Sequence, residues 1–542
     1  MEISRQLPDN VAELQAMLSA QLVQIDALAL ERDAFKMDVE TLKSERNALK
    51  ISQVHDNEEI KRLTDLIAKL RRAMFGQKSE KLNAQIDQFE LELEELHITQ
   101  GMQTQFTEVA EVKERSAPKR RPLPDHLPRQ NEEHLPSEAA CPDCGGSWEK
   151  IGEDVSEVLE YVPASYRVIR HIRPKLSCTC CDRMAQAPAP SRPIARSSFG
   201  PGLMSHVIIS KYMDHLPIYR QCQQALREGI ELSESTLGDV VGGVHQLLRP
   251  LIESLRRYVF AAGKLHADDT PINVLAPGNG KTKQGRLWVY TRDDRPAGDI
   301  TAPAVWFKYS PDRKGIHPQT HLKDYQGILQ ADAYPGYNAL FETGRVIEAA
   351  CWAHARRKFY DIHEMSPTPI STHVLKTIGE LYQIEAGIRG SPPERRREVR
   401  QELAKPIVEA LHLWLKEQLS TVSRKSLTAD AIGYAMNQWE ALCRYLDNGL
   451  IEMDNNAAER ALRTVALGRK NYLFLGSDAG GERAATMYSL LGTVKLNGIN
   501  PEKYLRHVLS VIADYPVNKV SELLPWNVTI PEDNCQPNKV EQ

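Results

Sequence analysis

The sequence predicts a multidomain chain: an N-terminal α-helical coiled coil, a small cysteine-rich module, a helical segment, and an α/β core carrying a helical insertion. Three observations predict it. Residues 9–100 form a proline-free, heptad-patterned run; two Cys-x-x-Cys pairs follow; and beyond residue 260 short strand-like stretches alternate with helix formers. A length of 542 residues is too great for one ordinary domain, and 42% hydrophobic residues suffice for sizeable cores. No run of 18 apolar residues crosses a membrane. The start, MEISRQLPDN, lacks a signal peptide's basic and apolar regions, so the cytoplasm is the expected compartment. A net charge of −4 argues at first against a nucleic-acid partner.

Between Pro8 and Pro118 there is no proline, and only Gly76 and Gly101 interrupt the Leu-, Glu-, Lys-, Gln- and Ala-rich run. From Val11 the a and d positions read Val11, Leu14, Leu18, Gln21, Ile25, Leu28, Arg32, Phe35, Val39, Leu42, Arg46 and Leu49, nine of them apolar. The pattern resumes at Ile60, Leu63, Ile67, Leu70 and Met74. A leucine-zipper-like coiled coil over 1–100 would make a homodimer or higher oligomer; a helical hairpin is the alternative. Residues 101–137 read as a linker, rich in proline and carrying Lys119, Arg120 and Arg121.

Cys141/Cys144 and Cys178/Cys181, separated by 33 residues, supply four thiolates in two tight turns, the ligand set of a structural Zn²⁺ in a zinc-binding domain over 138–185. The stretches VSEVLEYVP and YRVIRHIRPKLS are expected to pair as a hairpin that brings the knuckles together. Two knuckles without a βαβ unit disfavour a redox role, and Cys180 is left without one. Over 186–260 the pattern is helical. Gly229 ends one helix and Ser233 opens the next, which suits a helix-turn-helix-like segment or plain helix packing.

Five strand-like runs follow: KLHAD, GRLWVY, AVWFKY, GILQAD and RVIEAAC. Three that can pair antiparallel, then alternating helix and strand, give a ribonuclease-H-like order over 261–465, with the helical insertion at about 362–450 and a C-terminal domain over 466–542. In that order the first and fourth strands are neighbours, so Asp268, ending the first, and Asp332, ending the fourth, meet at the strand ends. Strand alternation separates Asp268 from Asp269, and Leu265 and Ala267 place Asp269 on the core side. Asn455-Asn456 starts a helix that carries Glu459 on its first turns, with Arg463 on the same face. Two strand carboxylates and one helix carboxylate suit two Mg²⁺ ions (Mn²⁺ is equivalent here) about 3.5–4 Å apart, which perform phosphoryl transfer without a side-chain nucleophile.

APGNGKT at 276–282 mimics a phosphate-binding loop, but Leu275 stands where its first glycine belongs and no helix former follows Lys281. Cys351 and His354, a strand end before a helix, read as buried packing, with a metal site or thiol chemistry as the alternative.

The series HADDTPINVL, GILQADAYPGY, CWAHARRKF, DNNAAERALR and GRKNYLFLGS, with the zinc knuckles and FGQKSEKL at 75–82, resembles transposases of the bacterial insertion sequence 66 family. The resemblance implies a DDE transposase that binds the terminal inverted repeats of its element, cleaves the DNA ends and joins them to target DNA, associated with the nucleoid. It implies a catalytic triad of Asp268, Asp332 and Glu459, also the Mg²⁺ ligands, separated by 64 and 127 residues. Accessory proteins of the same element are further possible partners. Two departures stand out: Asp269 replaces a common glutamate, and Ala466 occupies the position, seven after the glutamate, where many DDE enzymes carry a basic residue. Arg460 or Arg463 is then the basic partner, and Glu452 the fallback third carboxylate. A zinc-dependent DNA-binding regulator with an inactive core is the rival reading.

Charge is segregated. Residues 1–100 hold 13 Lys/Arg against 19 Asp/Glu, whereas residues 163–227 hold 10 against 2. DNA is therefore expected along Arg167, Arg170, Arg173 and Lys175, and along Arg460, Arg463, Arg469 and Lys470.

Overall fold

A computed structural model describes residues 190–531 except 196 and 279, together with residue 62 and short stretches between 166 and 186. The heptad run, the four knuckle cysteines Cys141, Cys144, Cys178 and Cys181, and Arg167 lie outside the described residues. The described residues divide into two compact units, a smaller one ending at residue 190 and a larger one beginning at residue 191. In the smaller, β1 (Lys175–Ser177) pairs antiparallel with β2 (Met184–Gln186), and the Gln186 amide donates to the Arg173 carbonyl at 3.0 Å. The described strand partner of KLS is thus MAQ, while VSEVLEYVP, expected to pair with it, lies outside the described residues.

The larger unit opens with α1 (Pro201–Tyr212), α2 (Ile218–Arg227) and α3 (Glu234–Phe260). Gly229, at φ +79°, ends the α2 turn in the left-handed region, and the Ser233 hydroxyl caps α3 by accepting from the Thr236 amide at 3.1 Å. Both helix limits fall where the turn chemistry put them. α3 buries Leu237, Val240, Val241, Val244, Leu248, Leu251 and Leu255, a continuous stripe at helical spacing. That stripe, and the apolar side of α1, belong to the same core as the sheet.

The sheet consists of β3 (Lys264–Val274), β4 (Lys283–Arg292), β5 (Ala304–Ser310), β6 (Gly327–Gln330) and β7 (Val346–Ala349). Its order is β5-β4-β3-β6-β7; the first three run antiparallel, and β6 and β7 lie parallel to β3. This five-stranded mixed sheet is consistent with a ribonuclease-H-like core. Asp268 does not end its strand, because β4 goes on pairing with β3 as far as Val274, whereas β6 pairs only with Lys264–His266. It marks instead the point where the parallel neighbour stops.

After β7 the chain makes α6 (Trp352–Met365), α7 (Pro369–Ile388), α8 (Pro393–Val399), α9 (Lys405–Thr421), α10 (Leu427–Asn437) and α11 (Trp439–Asp447), having passed short α4 (Ile316–His321) and α5 (Asn338–Phe341). The helices from α6 to α11 close on a core of their own around Trp352, Phe359, Ile378, Leu411 and Tyr445. Two guanidiniums are buried beside it. Arg400 pairs with Glu385 at 2.6 Å and donates to the Tyr445 and Ile451 carbonyls; Arg396 pairs with Glu452 at 2.8 Å. Buried charge is tolerated because the terminal nitrogens of both guanidiniums meet oxygens, and the clamp fixes the segment leaving the insertion.

That segment leads to α12 (Asn456–Asn471), α13 (Asp478–Leu496) and α14 (Pro501–Val511). α13 covers the edge strand β5. The Val305 and Phe307 amides, which have no strand on that side, donate to the Thr493 and Ser489 hydroxyls at 3.0 and 2.7 Å. A Cβ on Gly492 would lie 2.9 Å from a Val305 methyl, so glycine there permits the approach. Among the described residues no helix is long and apolar enough to cross a membrane.

Candidate active site

The site lies where β6 ends. Leu265 and Ala267 point into the main core, and Lys264 and His266 are equally buried on the other face, so β3 is covered on both sides before it reaches Asp268. Alternation gives Asp268 the His266 face and Asp269 the Ala267 face. Asp332 follows β6 by two residues, and its Oδ1 accepts from the Tyr334 amide at 3.3 Å. Glu459 sits on the first turn of α12.

These three carboxylates come together. Burial pushes the Asp268 carboxyl well above the usual carboxylate range, and the charges of Asp332, Glu459 and Asp269 push the same way, against the Asp269 amide that donates to Asp268 Oδ1 at 2.6 Å. Burial also raises Asp332, opposed first by His354, whose Nδ1 lies 3.7 Å from Glu459 Oε1. Mutually repelling carboxylates drawn from two strands and a helix form an all-oxygen donor set. A hard divalent cation would relieve that repulsion, so the residues present fit Mg²⁺ or Mn²⁺.

Asp269 has the opposite environment. Its side chain is 1% exposed and is held by Arg286 at 3.0 Å and Arg313 at 2.9 Å. Arg313 lies over the Tyr334 ring, its guanidinium 4.3 Å from the centroid, and reaches within 3.8 Å of Asp332. Two guanidiniums against one carboxylate leave a positive charge next to the acidic cluster. Neither arginine was expected here: Arg286 sits mid-strand and Arg313 in the SPDRKG turn after β5, and only the tertiary fold makes them neighbours.

α12 reaches this position through its start. The chain was expected to open a helix at Asn455-Asn456, and it does, but the Asn455 side chain does not cap it. Its Nδ2 donates to the Ala267 carbonyl at 2.9 Å and its Oδ1 faces His266 Nδ1 at 3.1 Å, bolting the helix start to β3 one residue before Asp268. Asp454 does the local work, accepting from the Asn456 amide at 3.1 Å; burial raises its carboxyl to about 7. The Cys351 thiol accepts from the Asn455 amide at 3.2 Å.

Glu452, the fallback third carboxylate, is engaged elsewhere: besides Arg396, it has Lys264 at 3.9 Å, and the amide side chain of Gln330 donates to its carbonyl. Despite burial, those cations hold its carboxyl below the usual range. Of the residues expected to meet DNA, Arg460, Arg463 and Lys470 are exposed on α12, whereas Arg469 turns inward and donates to the Pro271 carbonyl. Arg170 and Arg173 are exposed in the smaller unit; Lys175 lies in β1.

Comparison with known proteins matches this arrangement. The profile described as Transposase IS66 family matches residues 196–483, and those of the zinc-finger binding domain of transposase IS66, the Transposase C of IS166 homeodomain and the IS66 C-terminal element match 138–182, 62–131 and 489–526. The uncharacterized protein y4hP of Sinorhizobium fredii is 40% identical over 484 residues, covering 85% of this chain and 87% of that protein. The uncharacterized protein y4qI of the same organism is 37% identical over 536 residues, covering 96% and 97%. The family implies DNA transposase activity with a divalent metal, and its zinc-finger domain implies zinc. With a family profile spanning more than half its length, the chain belongs to the IS66 family of DDE transposases.

Proposed function

We propose that this protein binds the terminal inverted repeats of its own insertion sequence, cleaves the DNA ends and joins the freed 3′-hydroxyls to target DNA by two-metal phosphoryl transfer. The observation that carries the reading is the convergence of Asp268, Asp332 and Glu459, each from a different element, at the end of β6. Divalent ions held by these carboxylates would activate the attacking water or 3′-hydroxyl and stabilise the leaving oxygen. The chain's own residues supply orientation. Asp269 holds Arg286 and Arg313, and Arg313 also reaches Asp332, so that their spare positive charge receives the phosphate backbone, a role Ala466 cannot fill. Arg460, Arg463 and Lys470 on α12, and Arg170 and Arg173 in the zinc-finger unit, bind flanking phosphates, while Asn455 keeps Glu459 in place. A dimer made through the N-terminal heptads would hold both ends of the element together.

The test uses the full chain and a duplex bearing the element's terminal repeat. Asp332→Asn should lose Mg²⁺- or Mn²⁺-dependent nicking by more than about a thousandfold while retaining DNA binding. A wild-type chain that binds those ends but neither cuts nor joins them would refute catalysis and indicate a zinc-dependent DNA-binding regulator.

A further inference from the structure

The ligand atoms of Cys351, His354 and Glu459 all lie within 4.8 Å of one another, and His354 Nδ1 is already 3.7 Å from Glu459 Oε1. Ligands on a tetrahedral zinc stand about 3.3–3.8 Å apart, given bonds of about 2.0–2.3 Å. The cluster therefore needs closure by roughly an ångström to hold one ion. Its parts come from two elements: Cys351 precedes α6 and His354 is in that helix's first turn, so a Cys-x-x-His turn presents sulfur and nitrogen together, and α12 brings the carboxylate. The thiol is 2% exposed, whereas the imidazole and carboxylate side chains are 25% and 14% exposed, leaving an entry for an ion on that side. The Asn455 amide that donates to the Cys351 sulfur is the kind of outer contact that orients a thiolate ligand.

We propose that Cys351, His354 and Glu459 form a zinc site that overlaps the carboxylate site by sharing Glu459. A thiolate and an imidazole select Zn²⁺ over Mg²⁺, because both are softer donors than carboxylate. Binding replaces the thiol proton, which leaves to solvent as the S–Zn bond forms. Zinc then withdraws Glu459 from the magnesium ligand set, so the ion acts as an inhibitor. The zinc site stands on its own geometry, while the inhibition rests on the catalytic reading above.

Cobalt is the probe. In the full chain with Cys141, Cys144, Cys178 and Cys181 changed to Ser, Co²⁺ should give a thiolate-to-cobalt absorption band that zinc abolishes by displacement. Cys351→Ser should remove the band, and His354→Gln and Glu459→Gln should weaken cobalt binding by more than about tenfold, with unchanged far-ultraviolet circular dichroism as the folding control. No band at saturating Co²⁺, or a band unchanged in both Cys351→Ser and His354→Gln, would overturn the site. In the otherwise wild-type chain, zinc should inhibit magnesium-supported nicking in step with occupancy of this site; full activity with the site filled would overturn the sharing of Glu459. A chain that takes cobalt here yet nicks no DNA would sink the catalytic reading and leave the zinc site standing.

Discussion

Asp268 and Asp269 share a strand and a charge, and their surroundings oppose each other. Asp268 faces two further carboxylates, so its ionised form is disfavoured; Asp269 faces two guanidiniums, so removing its charge strands them. The two isosteric substitutions should therefore differ in sign. Asp268→Asn is expected to stabilise the fold by about 1 kcal/mol by removing a repelling charge, and Asp269→Asn to destabilise it by about 2–3 kcal/mol, the larger figures for buried pairs being reduced because Arg313 is partly exposed. Urea midpoints measured without divalent ions check this, and equal shifts would contradict the assignment. Alternation along HADDT separated the neighbours in the sequence. Which of them met cations was not legible there, since Arg286 and Arg313 arrive from other elements.

At the scale of elements, the placement of α12 is the decisive feature, and it depends on Asn455. This buried side chain satisfies the Ala267 carbonyl and His266, so Asn455→Ala leaves two buried polar groups without their partner and should cost about 2–3 kcal/mol. Nicking should fall with it while DNA binding persists; a variant of unchanged stability would show that the bolt does not hold the helix. In the sequence the asparagine pair announced a helix start, as local propensity does. Its bond to a strand almost two hundred residues earlier lies beyond any local pattern. The same holds for Ser489 and Thr493, whose spacing of four reads as one helix face and whose partners are the free amides of β5.

At the scale of the molecule, two cores are joined among the described residues, one around the sheet with α1, α3, α13 and α14 and one inside the helical insertion. Within the first, burial lowers the His321 pKa to about 3, between Trp288, Tyr290 and Trp306. The unfolded imidazole protonates near 6.5 and the folded one stays neutral to about 3, so the unfolded chain binds more protons as pH falls. This contribution is complete above pH 6.5 and is lost on descent toward 3, at about 2 kcal/mol between pH 7 and 5. Asp454, raised to about 7, acts with the opposite sign, so the comparison must be made against a variant. Wild type should lose about 2 kcal/mol more than His321→Phe between those two pH values in urea unfolding, and parallel losses would refute it. By itself the sequence determined the strand succession, the insertion, the cap at Ser233 and the three carboxylates with their family, because these follow from periodicity, turn chemistry and motif order. The tertiary structure alone decided that β3 runs on past Asp268, that Glu452 serves an ion-pair clamp, that Arg469 turns inward, and that Arg286 and Arg313 hold Asp269. Each of these depends on contacts between segments distant in sequence, whose energies arise only once the core has brought them together.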